Sequence, residues 1–130
     1  MHAYFKTEKF RQDLNDDEIG TVVLGQDCIE WLQSRLDSHD GIATAPPVFE
    51  DWGWTMALSV NGSNLWVNVQ DWSFEQGKTW HLWMEPRGIV ARITGSRHKA
   101  ASTRLHQVTD EILSGDPAIH EVRWSDAKPR

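Results

Sequence analysis

The stretch that decides the fold is residues 52–70, WGWTMALSVNGSNLWVNVQ, which contains no charged side chain. Bulky apolar and small residues alternate along 52–60, and a similar alternation resumes along 65–69. A period of two is typical of strands that bury one face. Between the two segments stands Asn61-Gly62, the dipeptide that most strongly favours a two-residue hairpin turn. The stretch therefore predicts an antiparallel hairpin.

The turn also predicts which residues of the hairpin lie opposite each other. Pairing Val60 with Ser63 places every bulky aliphatic residue on one face, because side chains alternate along a strand. The turn and the hydrophobic pattern thus agree on one register. Its opposed pairs are Leu58 with Leu65, Met56 with Val67, and Trp54 with Val69.

The flanking sequence supplies further strands and two helices. Alternation predicts a third strand at 79–85, a final strand at 118–124 and a short strand at 2–6. Apolar residues three and four apart predict helices at 27–38 and 96–114, the first begun by an Asp27–Glu30 capping box. We predict a single α+β domain over 1–130, with an antiparallel meander of three strands plus at least one more packed against two helices. Residues 125–130 form a polar tail.

The negative charge of the chain is concentrated in its N-terminal part. The formal net charge is −6 over 130 residues. Residues 1–52 contain eleven acidic and four basic residues, whereas residues 86–130 contain five acidic and eight basic ones. Such an excess argues against nucleic-acid binding, because phosphate neutralisation needs clustered cations. The acidic N-terminal part would instead present a negative face to a basic protein partner.

Cysteine count and hydropathy exclude further classes. The single cysteine, Cys28, rules out an internal disulfide and a multi-cysteine metal site, and its simplest role is a buried apolar one. No pair of the six histidines has the spacing of zinc ligands, so we expect neither a metal nor a cofactor. The first residues lack the pattern of a signal peptide, and asparagines interrupt the uncharged stretch 52–70. We expect a cytoplasmic protein without a membrane segment.

Tryptophan is the unusual residue of this chain, with eight copies against four Phe and one Tyr. Trp66 and Trp83 fall on the polar face of neighbouring predicted strands, opposite the aliphatic residues. The other strand tryptophans fall on apolar faces, which predicts that they belong to the core: Trp52, Trp54, Trp80 and Trp124.

The polar face of the predicted sheet is our main candidate binding surface. Indole rings set among polar side chains are typical of protein recognition surfaces. Whether a second layer of the protein covers this face decides whether it can bind a partner. The predicted binding residues are Trp66, Trp83, His81, Asn68 and Gln70, with Glu85 beside them.

An acidic loop is a second candidate contact surface. Residues 13–18 read DLNDDE, and Asp16, Asp17 and Glu18 together could meet a basic partner. Asp13, Asn15 and Asp17 have the spacing of a calcium loop, but Glu18 replaces the glycine that such a loop requires. We therefore predict a protein contact here rather than a metal site.

Two other functions remain open from the residues alone. Asp51 and Asp71 could form a carboxylate pair near His81, as general acid–base catalysis would need, although capping of loop amides explains them more simply. The basic residues of 87–104, among them Arg97 and Arg104, could bind an anion or a nucleotide. A small enzyme and an anion-binding accessory module are thus the alternatives to a binding protein.

Three short motifs carry a resemblance. Residues 50–54 (EDWGW), 85–87 (EPR) and 122–124 (VRW) resemble those of a group of short uncharacterised bacterial proteins. In size, acidity and α+β layout the chain is also similar to immunity proteins of bacterial toxin systems, which is a likeness of class. That likeness implies a small inhibitory protein that neutralises a toxin by protein–protein contact.

Overall fold

The structure, a computed structural model, describes residues 1–72, 78–86 and 96–126. Within those residues it contains seven strands and two helices. The strands are β1 (His2–Thr7), β2 (Ile42–Thr44), β3 (Val48–Glu50), β4 (Gly53–Val60), β5 (Ser63–Asp71), β6 (Thr79–Pro86) and β7 (Ile119–Ser125). The helices are α1 (Gln26–Asp37) and α2 (Ser96–Gly115).

All of these strands join one antiparallel sheet. Its order is β2-β4-β5-β6-β1-β7, and β3 pairs with β4 along the same edge as β2. Both helices pack against the sheet, and their buried side chains share one core with it. The predicted α+β fold, an antiparallel sheet packed against two helices, is confirmed.

The hairpin of β4 and β5 has the predicted register. Leu58 lies opposite Leu65, Met56 opposite Val67, and Trp54 opposite Val69. The turn residues Asn61 and Gly62 have φ angles of 50° and 83°, the left-handed values that this turn type requires.

β1 has a more central place than the sequence indicated. It pairs with β6 on one side and with β7 on the other, so that the first residues of the chain lie inside the sheet. Ala3 and Phe5 face the helices and are fully buried. The side chains of His2 and Tyr4 therefore point to the opposite face.

The start of α1 differs from the prediction. The helix begins at Gln26 after Gly25, whose φ of 116° places it in the left-handed region. Asp27 is inside the helix and its carboxylate accepts hydrogen bonds from the Cys28 and Arg11 backbone N–H groups. The predicted capping box is wrong because Gly25 turns the chain into the helix two residues earlier.

The core lies between the helices and one face of the sheet. α1 contributes Ile29, Leu32 and Leu36, and α2 contributes Leu105 and Val108, all with no exposed surface. Burial of one such side chain stabilises the fold by about 1.5–3 kcal/mol. The sheet supplies the facing side chains Phe5, Met56, Val60, Val67, Val69, Trp80 and Leu82.

Candidate functional site

The sheet face opposite the helices, which we name the polar face, gathers the predicted binding residues. Strand pairing places Gln70 opposite His81, and His81 opposite Tyr4. One step along, Asn68 lies opposite Trp83, and Trp83 opposite His2. Because alternate side chains share a face, these rows stand next to each other. The polar face consists of His2, Tyr4, Trp66, Asn68, Gln70, His81, Trp83 and Glu85.

His81 is the buried centre of the polar face. None of its surface is exposed, and both ring nitrogens have partners. Its Nδ1 lies 2.9 Å from Gln70 Nε2, and its Nε2 lies 2.9 Å from His2 Nδ1. If the Gln70 amide donates to Nδ1, the His81 Nε2–H donates to His2, which fixes the neutral tautomer of His81.

Aromatic rings close around His81. The rings of Tyr4 and Trp83 both stack on it with centroids 4.6 Å away, and Trp72 meets it edge-on at 4.9 Å. Asn68 is only 2% exposed and donates to Glu85 Oε1 at 3.2 Å. His81 and Asn68 therefore support the polar face from within and offer almost no surface to a partner.

Trp66 and Trp83 are half-buried, between the two predicted extremes of covered and exposed. Gln70 is half-buried as well and holds His81. Among the predicted residues of the polar face, Trp66, Gln70 and Trp83 thus retain some exposed surface, whereas Asn68 and His81 are buried. Glu85 is the exposed residue of the polar face as defined above.

The predicted position of Trp52 is wrong. The residue was predicted to lie in the core, but it precedes β4 in a turn and is 42% exposed. The period-two pattern fails there because the strand begins only at Gly53. The indole of Trp52 turns toward the polar face, where its centroid lies 5.0 Å from that of Trp83.

Large apolar side chains are also exposed on β3 and on the segment that precedes α1. Phe49 is 65% exposed and lies 6.0 Å, centroid to centroid, from Trp54. The Trp54 indole N–H in turn donates to the Val23 carbonyl oxygen at 2.9 Å. Val22, the neighbour of Val23, is 37% exposed. Contacts therefore connect the exposed residues of β3 to the segment that precedes α1, and sequence alternation gave no sign of this surface.

Trp52 forms one wall of an open hollow of about 400 Å³, which we name the Trp52 hollow. Asp51 and Asp71, the two predicted carboxylates, both line this hollow. Gln12 Nε2 donates to Asp71 Oδ1 at 2.7 Å. The lining residues are Leu14, Gly20, Val22, Val23, Leu24, Asp51, Trp52 and Asp71.

The acidic loop separates into two kinds of residue. Asp16 and Asp17 are exposed, as a contact surface would need. Glu18 instead accepts hydrogen bonds from the Arg11 guanidinium and the Asn15 backbone N–H. These interactions lower the pKa of Glu18 to about 2, chiefly through the Arg11 hydrogen bond. Glu18 thus stabilises the conformation of residues 11–18 and is not free to contact a partner in the same way as Asp16 and Asp17.

The other candidate sites are the Cys28 thiol, a metal site and the basic segment 87–104. Cys28 is buried, and desolvation raises the pKa of its thiol well above the ordinary value. Across the described ranges, no three His, Cys, Asp or Glu side chains converge in the way that a metal ion requires. Of the basic residues in 87–104, Arg87 and Arg92 lie outside the described residues and the side chain of Arg97 is not described, whereas on α2 Lys99 is exposed and Arg104 is half-buried.

No helix in the described part of the chain is long and apolar enough to span a membrane. Comparison of the chain with protein-family profiles, with curated proteins and with solved structures finds no match.

Proposed function

We propose that this protein is a binding protein that inhibits a partner by direct contact, as an immunity protein neutralises a basic toxin. The observation that best supports it is that two large aromatic side chains beside the β3–β4 turn are left in water, Phe49 at 65% and Trp52 at 42% exposure. Large apolar side chains left in water are typical of protein contact surfaces, because their burial on binding is favourable. Tryptophan is also among the residues that contribute most to binding energy.

Charge supports a basic partner. Glu50 and Asp51 directly precede Trp52, and Asp16 and Asp17 are exposed on the loop that leads to Val22. Acidic groups around an apolar centre attract a positively charged partner and accelerate its association. The cytoplasm is the proposed compartment for this interaction.

A small enzyme is the second candidate, and one observation favours it. The Trp52 hollow joins Asp51 and Asp71, which catalysis by paired carboxylates would need. His81, the third predicted catalytic group, has no exposed surface and could not reach a substrate in the hollow. Beside these two carboxylates, the described lining of the hollow contains no His, Cys, Ser, Thr or Lys side chain.

Affinity capture with matched variants tests the binding function. Tagged wild type, Trp52→Ser, Phe49→Ser and His120→Ser are incubated with lysate of the source organism, and retained proteins are quantified by mass spectrometry. His120 is the control, because it is exposed on β7 at the opposite edge of the sheet. We expect a basic protein that wild type and His120→Ser retain and that the other two variants lose.

The captured protein is then purified and assayed with and without this chain. Inhibition of its activity by wild type, and loss of inhibition with Trp52→Ser, would establish the inhibitory role. Equal retention by all four proteins would contradict the proposed surface. Circular dichroism confirms that each variant is folded before capture.

A further inference from the structure

The Trp52 hollow combines an apolar floor, an exposed indole and carboxylates. Leu14, Val23 and Leu24 are half-buried and form the apolar part, while Trp52 and Val22 reach into solvent. The hollow is open to solvent and has a volume of about 400 Å³. Such a lining suits a ligand that has both an apolar body and a positive charge.

The charge around the hollow is one-sided. Residues 11–78 contain twelve acidic residues and three Lys or Arg, namely Arg11, Arg35 and Lys78, and Arg11 is ion-paired with Glu18. The guanidinium of Arg35 is held over the ring of Trp31, 5.9 Å from its centroid. None of the described residues that line the hollow is Lys, Arg or His. The described lining of the hollow therefore contributes two carboxylates, those of Asp51 and Asp71, and no cation.

Asp71 is oriented before any ligand arrives. The Gln12 amide donates to Asp71 Oδ1 at 2.7 Å and to the Thr79 carbonyl oxygen at 3.1 Å, which ties the carboxylate to β6. A group that is already fixed loses little conformational entropy on binding. Asp51 stands on the turn before β4, next to Trp52, and is exposed.

We propose that the Trp52 hollow receives an arginine side chain of the partner protein, an inference that rests on the proposed function. The planar guanidinium can stack on the Trp52 indole and donate to the carboxylates of Asp51 and Asp71. Its aliphatic stem can pack on Leu14 and Val22. Arginine fits better than lysine because an ammonium group neither stacks on an indole in this way nor donates in a planar fork.

NMR titration tests the assignment with a defined probe. The ¹⁵N-labelled full chain is titrated with N-acetyl-arginine amide, and the indole N–H signal of Trp52 is identified by its absence in Trp52→Phe. The neutral isostere N-acetyl-citrulline amide and the lysine analogue are titrated in parallel. We expect a saturable shift of the Trp52 signal with the arginine probe, a weaker response to lysine and none to citrulline.

Charge variants locate the interaction. Asp51→Asn and Asp71→Asn should each weaken binding of the arginine probe about tenfold, as loss of a close charge partner does. Asp40→Asn is the matched control, because Asp40 is an exposed acid in the turn before β2, whose partner residues are at the far end of β4. Equal weakening by Asp40→Asn, or an equal response to citrulline, would overturn the assignment.

The outcome separates this inference from the proposed function. If the arginine probe does not bind while Trp52→Ser still loses the captured partner, the contact surface stands and the arginine assignment is wrong. If the probe binds as expected while the captured proteins are the same for all variants, the proposed function is wrong.

Discussion

Tyr4 and His81 stack face to face across neighbouring strands, with ring centroids 4.6 Å apart and 6° between the ring planes. They are far apart in the chain and meet because β1 pairs with β6. The guanidinium of Arg123, from β7, lies 5.4 Å from the centroid of the Tyr4 ring. Residues from β1, β6 and β7 thus pack together around His81. Trp83 stacks on His81, and Trp52 in turn contacts Trp83.

The stability of the polar face should depend strongly on His81. His81→Ala removes a buried ring and two hydrogen bonds, and we expect it to lower the free energy of unfolding by about 2–4 kcal/mol. His2→Ala should cost less, because His2 is half-buried and water can replace it at His81 Nε2. Urea unfolding measures both, with exposed His120→Ala as the control. Equal effects of the three variants would contradict this role of His81.

Gly53 allows β4 and β5 to approach each other beside Trp52. A Cβ atom at Gly53 would approach the Val69 carbonyl oxygen more closely than van der Waals contact permits. We expect Gly53→Ala to lower stability by about 1–3 kcal/mol, the usual cost of overpacking. Gly115→Ala is the control, because a Cβ atom there meets no atom within 4 Å. Thermal unfolding of both variants measures the difference, and a Gly115→Ala loss as large as that of Gly53→Ala would contradict it.

The Arg11–Glu18 ion pair should make stability depend on acid pH. The pKa of Glu18 is about 2 in the folded protein against an ordinary value of 4.5. A depressed pKa means that the carboxylate stabilises the fold above pH 4.5 and that this contribution is lost as the pH falls toward 2. The melting temperatures of wild type and Glu18→Gln should therefore differ at neutral pH and converge near pH 2.

A second variant checks that the ion pair causes this difference. Arg11→Gln removes the other partner and should reproduce the effect of Glu18→Gln. The double variant should be no less stable than either single one. Additive losses would show that the two residues act separately.

Cys28 should be unreactive in the folded protein. Its side chain is 1% exposed, and burial raises the pKa of its thiol, so thiolate is scarce at neutral pH. We expect 5,5′-dithiobis(2-nitrobenzoic acid) to label Cys28 only as fast as the protein unfolds, and immediately in urea. Rapid labelling of the native protein would show that α1 opens independently of the sheet.

Local patterns predicted both helices and five of the seven described strands, but not the short strands β2 and β3. The alternation in 52–70 and the Asn61-Gly62 turn predicted the register of β4 and β5, because both depend on neighbours in the chain. The helical spacing in 96–114 likewise predicted α2. The start of α1 was missed, since the left-handed conformation of Gly25 is not visible in an apolar pattern.

The candidate site was only partly predictable. Alternation correctly placed Trp66, Trp83 and His81 on one face, but it carries no information on what covers that face. His81 is buried because β1 brings Tyr4 and His2 against it. Trp52 is exposed because the strand begins one residue after it.

The sequence by itself determined the two helices, the five longer strands, the hairpin register and the acidic N-terminal half of this protein. Each follows from interactions among residues close in the chain or from simple counting. Only the tertiary structure decided that Asp51, Asp71 and Trp52 share one hollow and that Phe49 remains in water. Those facts depend on which distant segments pack together, and packing is governed by the shape and burial of the whole chain.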